Sequence, residues 1–167
     1  MDPPKGPVVL LDSVIFSRAI AQSRKSPRGR MILPFHKSHD DLLQRMLNVL
    51  QPGSYIQPHR HVSPPKAESI LVLKGSICFV SFEDAGEIDD YFLLSRGSGK
   101  IGIDVMPGVF HTFFALEEDT VLFEVKPGPY AQIDDKDFAA WAPVEGSEGA
   151  KEYLEKLWDH FPISCRK

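Results

Sequence analysis

Four residues of this chain could together bind a metal ion, and their spacing is the strongest chemical signal in the sequence. His59 and His61 are two positions apart, Glu68 follows seven residues later, and His111 lies 50 residues beyond His61. Because successive side chains of an extended strand point to opposite faces, the first two imidazoles would share one face, with Arg60 on the other. Imidazole and carboxylate groups are ligands of divalent transition metals. The pattern therefore predicts a metal site on a β-scaffold.

The elements that must position these residues are short strands. Turn residues such as Pro52-Gly53 and Pro107-Gly108 separate eight short apolar runs, at 45–50, 54–61, 69–73, 77–82, 91–94, 100–103, 109–116 and 121–125. This spacing predicts an all-β sandwich or barrel rather than alternating strands and helices. Helical periodicity predicts one helix before this core, at about 10–25, and one after it, at about 147–160. We expect a single domain over residues 1–167, because no repeat or second domain is visible.

Composition and charge exclude several classes of partner. The chain has 167 residues, of which 25% are charged and 43% hydrophobic, and its net charge is −4. These values are ordinary for a soluble globular protein and provide no basic surface, so neither nucleic acid nor membrane is expected as a partner. The first residues lack the pattern of a signal peptide, and the only cysteines are Cys78 and Cys165. Both observations favour the cytoplasm.

The order of the candidate ligands and of two glycines resembles the first cupin motif. The matching residues are Gly53, His59, His61, Glu68 and Gly75. The sequence departs from the motif in one gap, since six residues rather than three or four separate the second histidine from the glutamate. Pro107-Gly-Val-Phe-His111 is similar to the second cupin motif, with Ala115 in place of its usual asparagine.

Longer tracts between about residues 10 and 145 are similar to the WbuC family of cupin-fold metalloproteins. They are 27–30, 44–48, 58–61, 124–130 and the tract Asp135-Lys-Asp-Phe-Ala-Ala-Trp-Ala-Pro143. The resemblance implies a cupin-type β-barrel, a double-stranded β-helix or jelly roll, with one divalent metal in its mouth. The two helices predicted from periodicity would be additions at its ends. Carried over residue by residue, the ligands would be His59, His61, Glu68 and His111. The resemblance also implies an association with surface-polysaccharide (O-antigen) biosynthesis, but it indicates no reaction.

Strand alternation predicts which side chains would line a pocket beside the metal. Tyr55 and Gln57 share the parity of the histidine pair, and Phe113 shares that of the third imidazole. Tyr55 is the best placed candidate for a catalytic acid or base. Lys126 could reach a bound ligand, or it could belong to an exposed cross-strand pair. Glu68 could be the fourth ligand, a base beside the metal, or a strand-edge carboxylate.

Three functions are compatible with such a site. The first is a metal-dependent enzyme acting on a small carbohydrate-related metabolite, in which an open coordination position polarises a carbonyl or hydroxyl group. The second is a non-catalytic module that captures a sugar or an anion, and the third is a structural metal site. Iron, zinc, manganese, nickel and copper all suit the ligand set. Apolar residues near both chain ends, Val8 to Leu11 and Trp158 with Phe161, further predict a homodimer.

Overall fold

Two five-stranded antiparallel sheets face each other and make up the body of the protein. The computed structural model describes residues 1–131 and 136–161, so Asp135 and Cys165 lie outside the described residues. The elements in chain order are α1 (Ser13–Lys25), β1 (Arg30–Pro34), β2 (Leu43–Leu50), β3 (His59–Arg60), β4 (Glu68–Lys74), β5 (Ser76–Phe82), β6 (Ile88–Ser95), β7 (Gly102–Val105), β8 (Phe110–Ala115), β9 (Thr120–Pro127), β10 (Asp137–Phe138) and α2 (Glu148–His160). No helix among these residues is long and apolar enough to cross a membrane.

The strand order shows that the chain crosses repeatedly between the two sheets. One sheet has the order β1-β2-β9-β4-β7 and the other has the order β10-β3-β8-β5-β6. Residues of even number on β2, β4 and β9 face the interior, as the buried side chains of Asn48, Ile70 and Leu122 show. Apolar side chains of both sheets pack together to form the interior core. Ile77 and Phe79 of β5 and Phe113 of β8 are among them.

Each outer face of the barrel is covered by one of the terminal helices. Asp12 caps α1, since its carboxylate accepts hydrogen bonds from the backbone N–H groups of Val14 and Ile15, both at 3.0 Å. The buried Ala19 of this helix packs over β1, β2 and β9. On the other sheet, Leu154 and Leu157 of α2 belong to a cluster with outward-facing side chains of β5 and β8. Both helices were predicted at these places, with bounds that differ by at most three residues.

Segment 54–61 is the largest difference from the predicted strands, because only His59 and Arg60 are in β conformation. Two of the carbonyl groups before them are bound by side chains instead of a neighbouring strand. Arg30 Nη1 donates to the carbonyl oxygen of Tyr55 at 2.8 Å, and Thr112 Oγ1 donates to that of Ile56 at 2.7 Å. Pro58 has no N–H group to contribute to a sheet. Residues 54–58 therefore run as an irregular segment to which strand alternation does not apply.

Candidate metal centre

The four predicted ligands come from three strands that meet at one end of the barrel. His59 begins β3, His61 follows that strand, Glu68 begins β4 and His111 lies in β8. Direct pairing of His59 with His111 between β3 and β8 brings two of the imidazoles together. One possible ligand atom from each of the four residues lies within 4.8 Å of the others. Residues far apart in sequence thus form one compact cluster.

Hydrogen bonds to backbone carbonyls orient two of the imidazoles towards the cluster. His59 Nδ1 lies 3.0 Å from the carbonyl oxygen of Gln57, and His111 Nδ1 lies 2.9 Å from that of Val109. A carbonyl oxygen can only accept, so each Nδ1 carries the proton and the Nε2 lone pair of the neutral ring remains available. Phe79 stacks on the His111 ring with a centroid distance of 5.5 Å and further restricts its orientation.

The carboxylate of Glu68 completes the donor set. Its Oε2 lies 3.2 Å from His111 Nε2 and 4.0 Å from His61 Nε2. All four side chains are at most 3% exposed. A carboxylate oxygen beside imidazole lone pairs in a buried site requires a proton or a cation between them. The residues present therefore fit a divalent metal ion, and the three-imidazole, one-carboxylate set does not select one metal.

Burial and neighbouring charges shift the pKa values of the cluster towards metal-binding forms. Burial lowers the pKa of His59 well below its usual value, and the positive charge of Lys136 acts in the same direction. Burial alone would raise the pKa of Glu68, but the hydrogen bond with His111 and the charge of Lys126 outweigh it and hold the pKa well below its usual range. Neutral imidazole and ionised carboxylate are the forms that coordinate a metal.

A row of polar side chains extends from the cluster along the barrel wall. Lys126 Nζ lies 3.9 Å from Glu68 Oε1 and 3.7 Å from Glu124 Oε1. Asn48 Nδ2 donates to Glu124 Oε2 at 3.1 Å. Burial and the charge of Glu68 raise the pKa of Glu124 to about 7. Burial and the charge of Lys126 lower the pKa of Lys136. The described barrel wall beside the metal cluster is thus polar.

Tyr55 and Gln57 do not line the barrel interior, where strand alternation predicted them. Both side chains contact the C-terminal segment instead. The hydroxyl of Tyr55 donates to the carbonyl oxygen of Pro143 at 2.8 Å, and its ring packs in the cluster beneath α2. Gln57 Nε2 donates to the carbonyl oxygen of Ala139 at 3.1 Å. The hydrogen bonds of both side chains join the C-terminal segment to the barrel. The predicted inward orientation depended on a regular strand, which residues 54–58 do not form.

The other two predicted pocket residues do lie inside the barrel. Phe113 belongs to the interior core, and Lys126 lies beside the cluster as described above. Strand alternation predicted that at most one of Arg45 and Asn48 points into the barrel, but it did not assign Asn48 to the site. The available signal was its polarity at an inward position of β2, between Met46 and Leu50 of the same parity.

Comparison with known proteins identifies a family and a fold. The family profile DUF6016, described as a domain of unknown function, matches residues 11–94, which is half of the chain. No curated protein matches. Protein SO0799 from Shewanella oneidensis is similar with a TM-score of 0.54 and 13% identity, over 77% of this chain and 85% of that one. L-ribose isomerase from Cellulomonas parahominis has a TM-score of 0.50 and 19% identity, over 68% of this chain and 70% of that one.

A third similar structure is a variant of oxalate decarboxylase from B. subtilis, with a TM-score of 0.46 and 20% identity. The match covers 58% of this chain and 24% of that one, so it spans about a quarter of the oxalate decarboxylase chain. At these identities the likenesses concern the fold alone. The two likenesses with TM-scores of 0.50 and 0.54, together with the two antiparallel sheets, confirm the predicted all-β cupin barrel with terminal helices.

Proposed function

The chain belongs to the DUF6016 family, and we propose that it is a metal-dependent enzyme acting on a small, oxygen-rich, carbohydrate-related metabolite. The observation that carries the proposal is the buried cluster of His59, His61, Glu68 and His111, whose ligand atoms lie within 4.8 Å of one another. A divalent ion bound there would supply Lewis acidity towards a carbonyl or hydroxyl oxygen.

Residues of the chain would then hold the ligand set in place and orient the substrate. The carbonyl groups of Gln57 and Val109 fix the imidazole tautomers, and Lys126 places a positive charge beside the carboxylate of Glu68. Such an arrangement favours a substrate that offers an anionic or polar oxygen. One similar structure is an L-ribose isomerase with L-psicose, and this supports sugars and sugar acids as the first compounds to test.

The finer features of the proposal rest on the WbuC resemblance and on surface properties. The resemblance supports a role in surface-polysaccharide (O-antigen) biosynthesis, and the thiol of Cys78 buried in the core is compatible with the cytoplasm. A homodimer is supported at the N-terminal end, where Val8 is 84% and Leu10 is 74% exposed. Phe161, by contrast, is buried on its own barrel. Light scattering at micromolar concentration should give twice the chain mass, and a monomer mass would contradict the dimer.

A structural metal site is the second candidate function, because the four ligands are almost completely buried. Such sites are closed and tetrahedral, whereas catalytic sites keep a position open. Cobalt(II) loaded into metal-free protein distinguishes the two. Five- or six-coordinate spectra that change when sugar acids are added support the enzyme or binder.

A tetrahedral spectrum that no small molecule changes would favour the structural site. Elemental analysis of freshly purified protein, before and after chelator treatment, should identify the natural metal. Protein that contains no metal and binds none when metal is added would contradict both functions.

A further inference from the structure

A buried polar atom of β2 has no hydrogen-bond partner among the residues that the structure describes. This atom is Asn48 Oδ1, on a side chain that is 5% exposed. Buried polar groups are almost always paired, because an unpaired one loses its hydrogen bonds to water without replacement. The Asn48 amide therefore indicates a missing donor, which a bound water or ligand would supply.

The neighbours of Asn48 show which way this acceptor is presented. The amide nitrogen donates to Glu124 Oε2 at 3.1 Å, so the amide oxygen is the end of the side chain that stays unpaired. Directly across the strand pair lies Leu122, whose side chain has no donor. The side chain of Asn48 is thus held by Glu124, and its carbonyl oxygen is left without a donor among the described residues.

The same row of side chains connects Asn48 to the metal cluster. Glu124 lies 3.7 Å from Lys126 Nζ, and that ammonium group lies 3.9 Å from the Glu68 carboxylate. Glu124 and Lys126 are 5% and 6% exposed, so both side chains are surrounded by the barrel rather than by solvent. An oxygen ligand on the metal side of this wall would meet a positive charge and, further along, a hydrogen-bond acceptor.

We propose that Asn48 is a specificity-determining residue that accepts a hydrogen bond from a hydroxyl group of the bound ligand. The ligand class is a hydroxycarboxylate, whose carboxylate lies at the metal cluster beside Lys126 and whose hydroxyl donates to Asn48 Oδ1. The inference rests on the proposed function, because it requires a metal in the cluster. A site with a buried acceptor discriminates against an analogue without the hydroxyl, since binding that analogue leaves the acceptor unpaired.

Calorimetric titration with glycolate and acetate tests the inference, because these ions differ by one hydroxyl group. Metal-loaded wild-type protein is compared with Asn48→Leu, and Gln51→Leu serves as the control. Gln51 follows β2 and binds Ser23 and Asp119, away from the cluster. The ratio of glycolate affinity to acetate affinity should fall about tenfold in Asn48→Leu. This ratio should stay at the wild-type value in Gln51→Leu. Glycolate can also gain affinity by chelating the metal, but that gain is the same in all three proteins and does not change the comparison.

Metal content, measured on the same samples, separates failure of this inference from failure of the proposed function. Equal ratios in wild type and Asn48→Leu, or no glycolate binding to metal-loaded wild type, would overturn the inference alone. Wild type that binds no metal would overturn the proposed function and the inference with it. If Asn48→Leu does not fold, a crystal structure of the metal-loaded wild-type protein with glycolate tests the inference. A glycolate hydroxyl within hydrogen-bond distance of Asn48 Oδ1 supports the inference, and any other position overturns it.

Discussion

His111 Nε2 lies 3.2 Å from Glu68 Oε2, while Nδ1 of the same ring lies 2.9 Å from the carbonyl oxygen of Val109. The ring therefore contacts an acceptor at each nitrogen. A neutral imidazole has one N–H group and cannot donate to both. A proton or a cation must therefore lie between Nε2 and the carboxylate. This relationship makes metal binding and the charge of Glu68 interdependent.

Glu68→Gln should lower metal affinity by at least about tenfold, because a neutral amide replaces the anionic ligand. It should also reduce the increase in melting temperature that added metal produces, since bound metal stabilises the folded state. Metal titration followed by thermal unfolding measures both effects. Glu117→Gln is the matched control, because Glu117 accepts from Ser76 Oγ at 2.7 Å and is not part of the cluster. Unchanged affinity in Glu68→Gln would remove the carboxylate from the ligand set.

The two motif glycines should respond differently to substitution by alanine. Both have positive φ, +86° at Gly53 and +76° at Gly75, so each alanine carries a strain of about 1–2 kcal/mol. At Gly75 the added Cβ would also collide with Thr120 Oγ1 and lie 3.0 Å from the Cα of that residue, whereas at Gly53 nothing lies within 4 Å. Denaturant unfolding should show a clearly larger loss for Gly75→Ala. Equal losses at the two sites would mean that the Thr120 contact relaxes freely.

Stability should depend on pH through Asp119, which connects α1 to the barrel. Burial would raise the pKa of this carboxyl, but hydrogen bonds from Arg24 and Gln51 outweigh it and lower the pKa. A lowered folded-state pKa contributes stability above the unfolded value of about 3.9, and this is lost as pH falls through the folded value.

Asp119→Asn should therefore reduce the free energy of unfolding by about 1 kcal/mol at pH 7, and by progressively less below pH 4. Asparagine is the suitable replacement because the backbone φ of +57° at this position suits Asn as well as Asp. Urea unfolding between pH 3 and pH 7 measures the difference. A constant difference across this range would contradict the assigned charge effect.

Tyr55→Phe should destabilise the protein by about 1–2 kcal/mol while leaving metal content unchanged. The hydroxyl of Tyr55 donates to the carbonyl of Pro143, and its loss leaves that carbonyl without this donor. Thermal unfolding and elemental analysis test the two parts. Tyr91→Phe, at a more exposed position of β6, is the control for loss of a phenol. A folded Tyr55→Phe protein of unchanged stability that no longer processes a substrate would instead support the catalytic role considered for this residue.

The sequence predicted strands correctly where side-chain alternation and an apolar run both indicated a strand. Runs such as 77–82 and 121–125 became β5 and β9 because alternation and burial both favour a strand there. The proximity of His59 and His111 followed from motif order, not from any local pattern. In the structure it depends on the pairing of β3 with β8.

The elements that were missed lacked a local signal. Strand β1 is a five-residue edge strand whose burial does not alternate, and β10 consists of Asp137 and Phe138 alone, which is too short for any periodicity. Tyr55 was misplaced because its backbone is bound by Arg30, a residue 25 positions earlier. No pattern within the segment could have indicated that long-range contact.

The short strand that begins with His59 is completed from the far end of the chain. Phe138 pairs with His59, and the backbone N–H of Ala139 donates to the carbonyl oxygen of Pro58 at 2.9 Å. During synthesis on the ribosome, residues 59–111 are made before residues 137–139, which supply the flanking strand. The backbone pairing of His59 is therefore complete only after residues 137–139 have been synthesised, so the final position of this ligand depends on folding of the C-terminal segment.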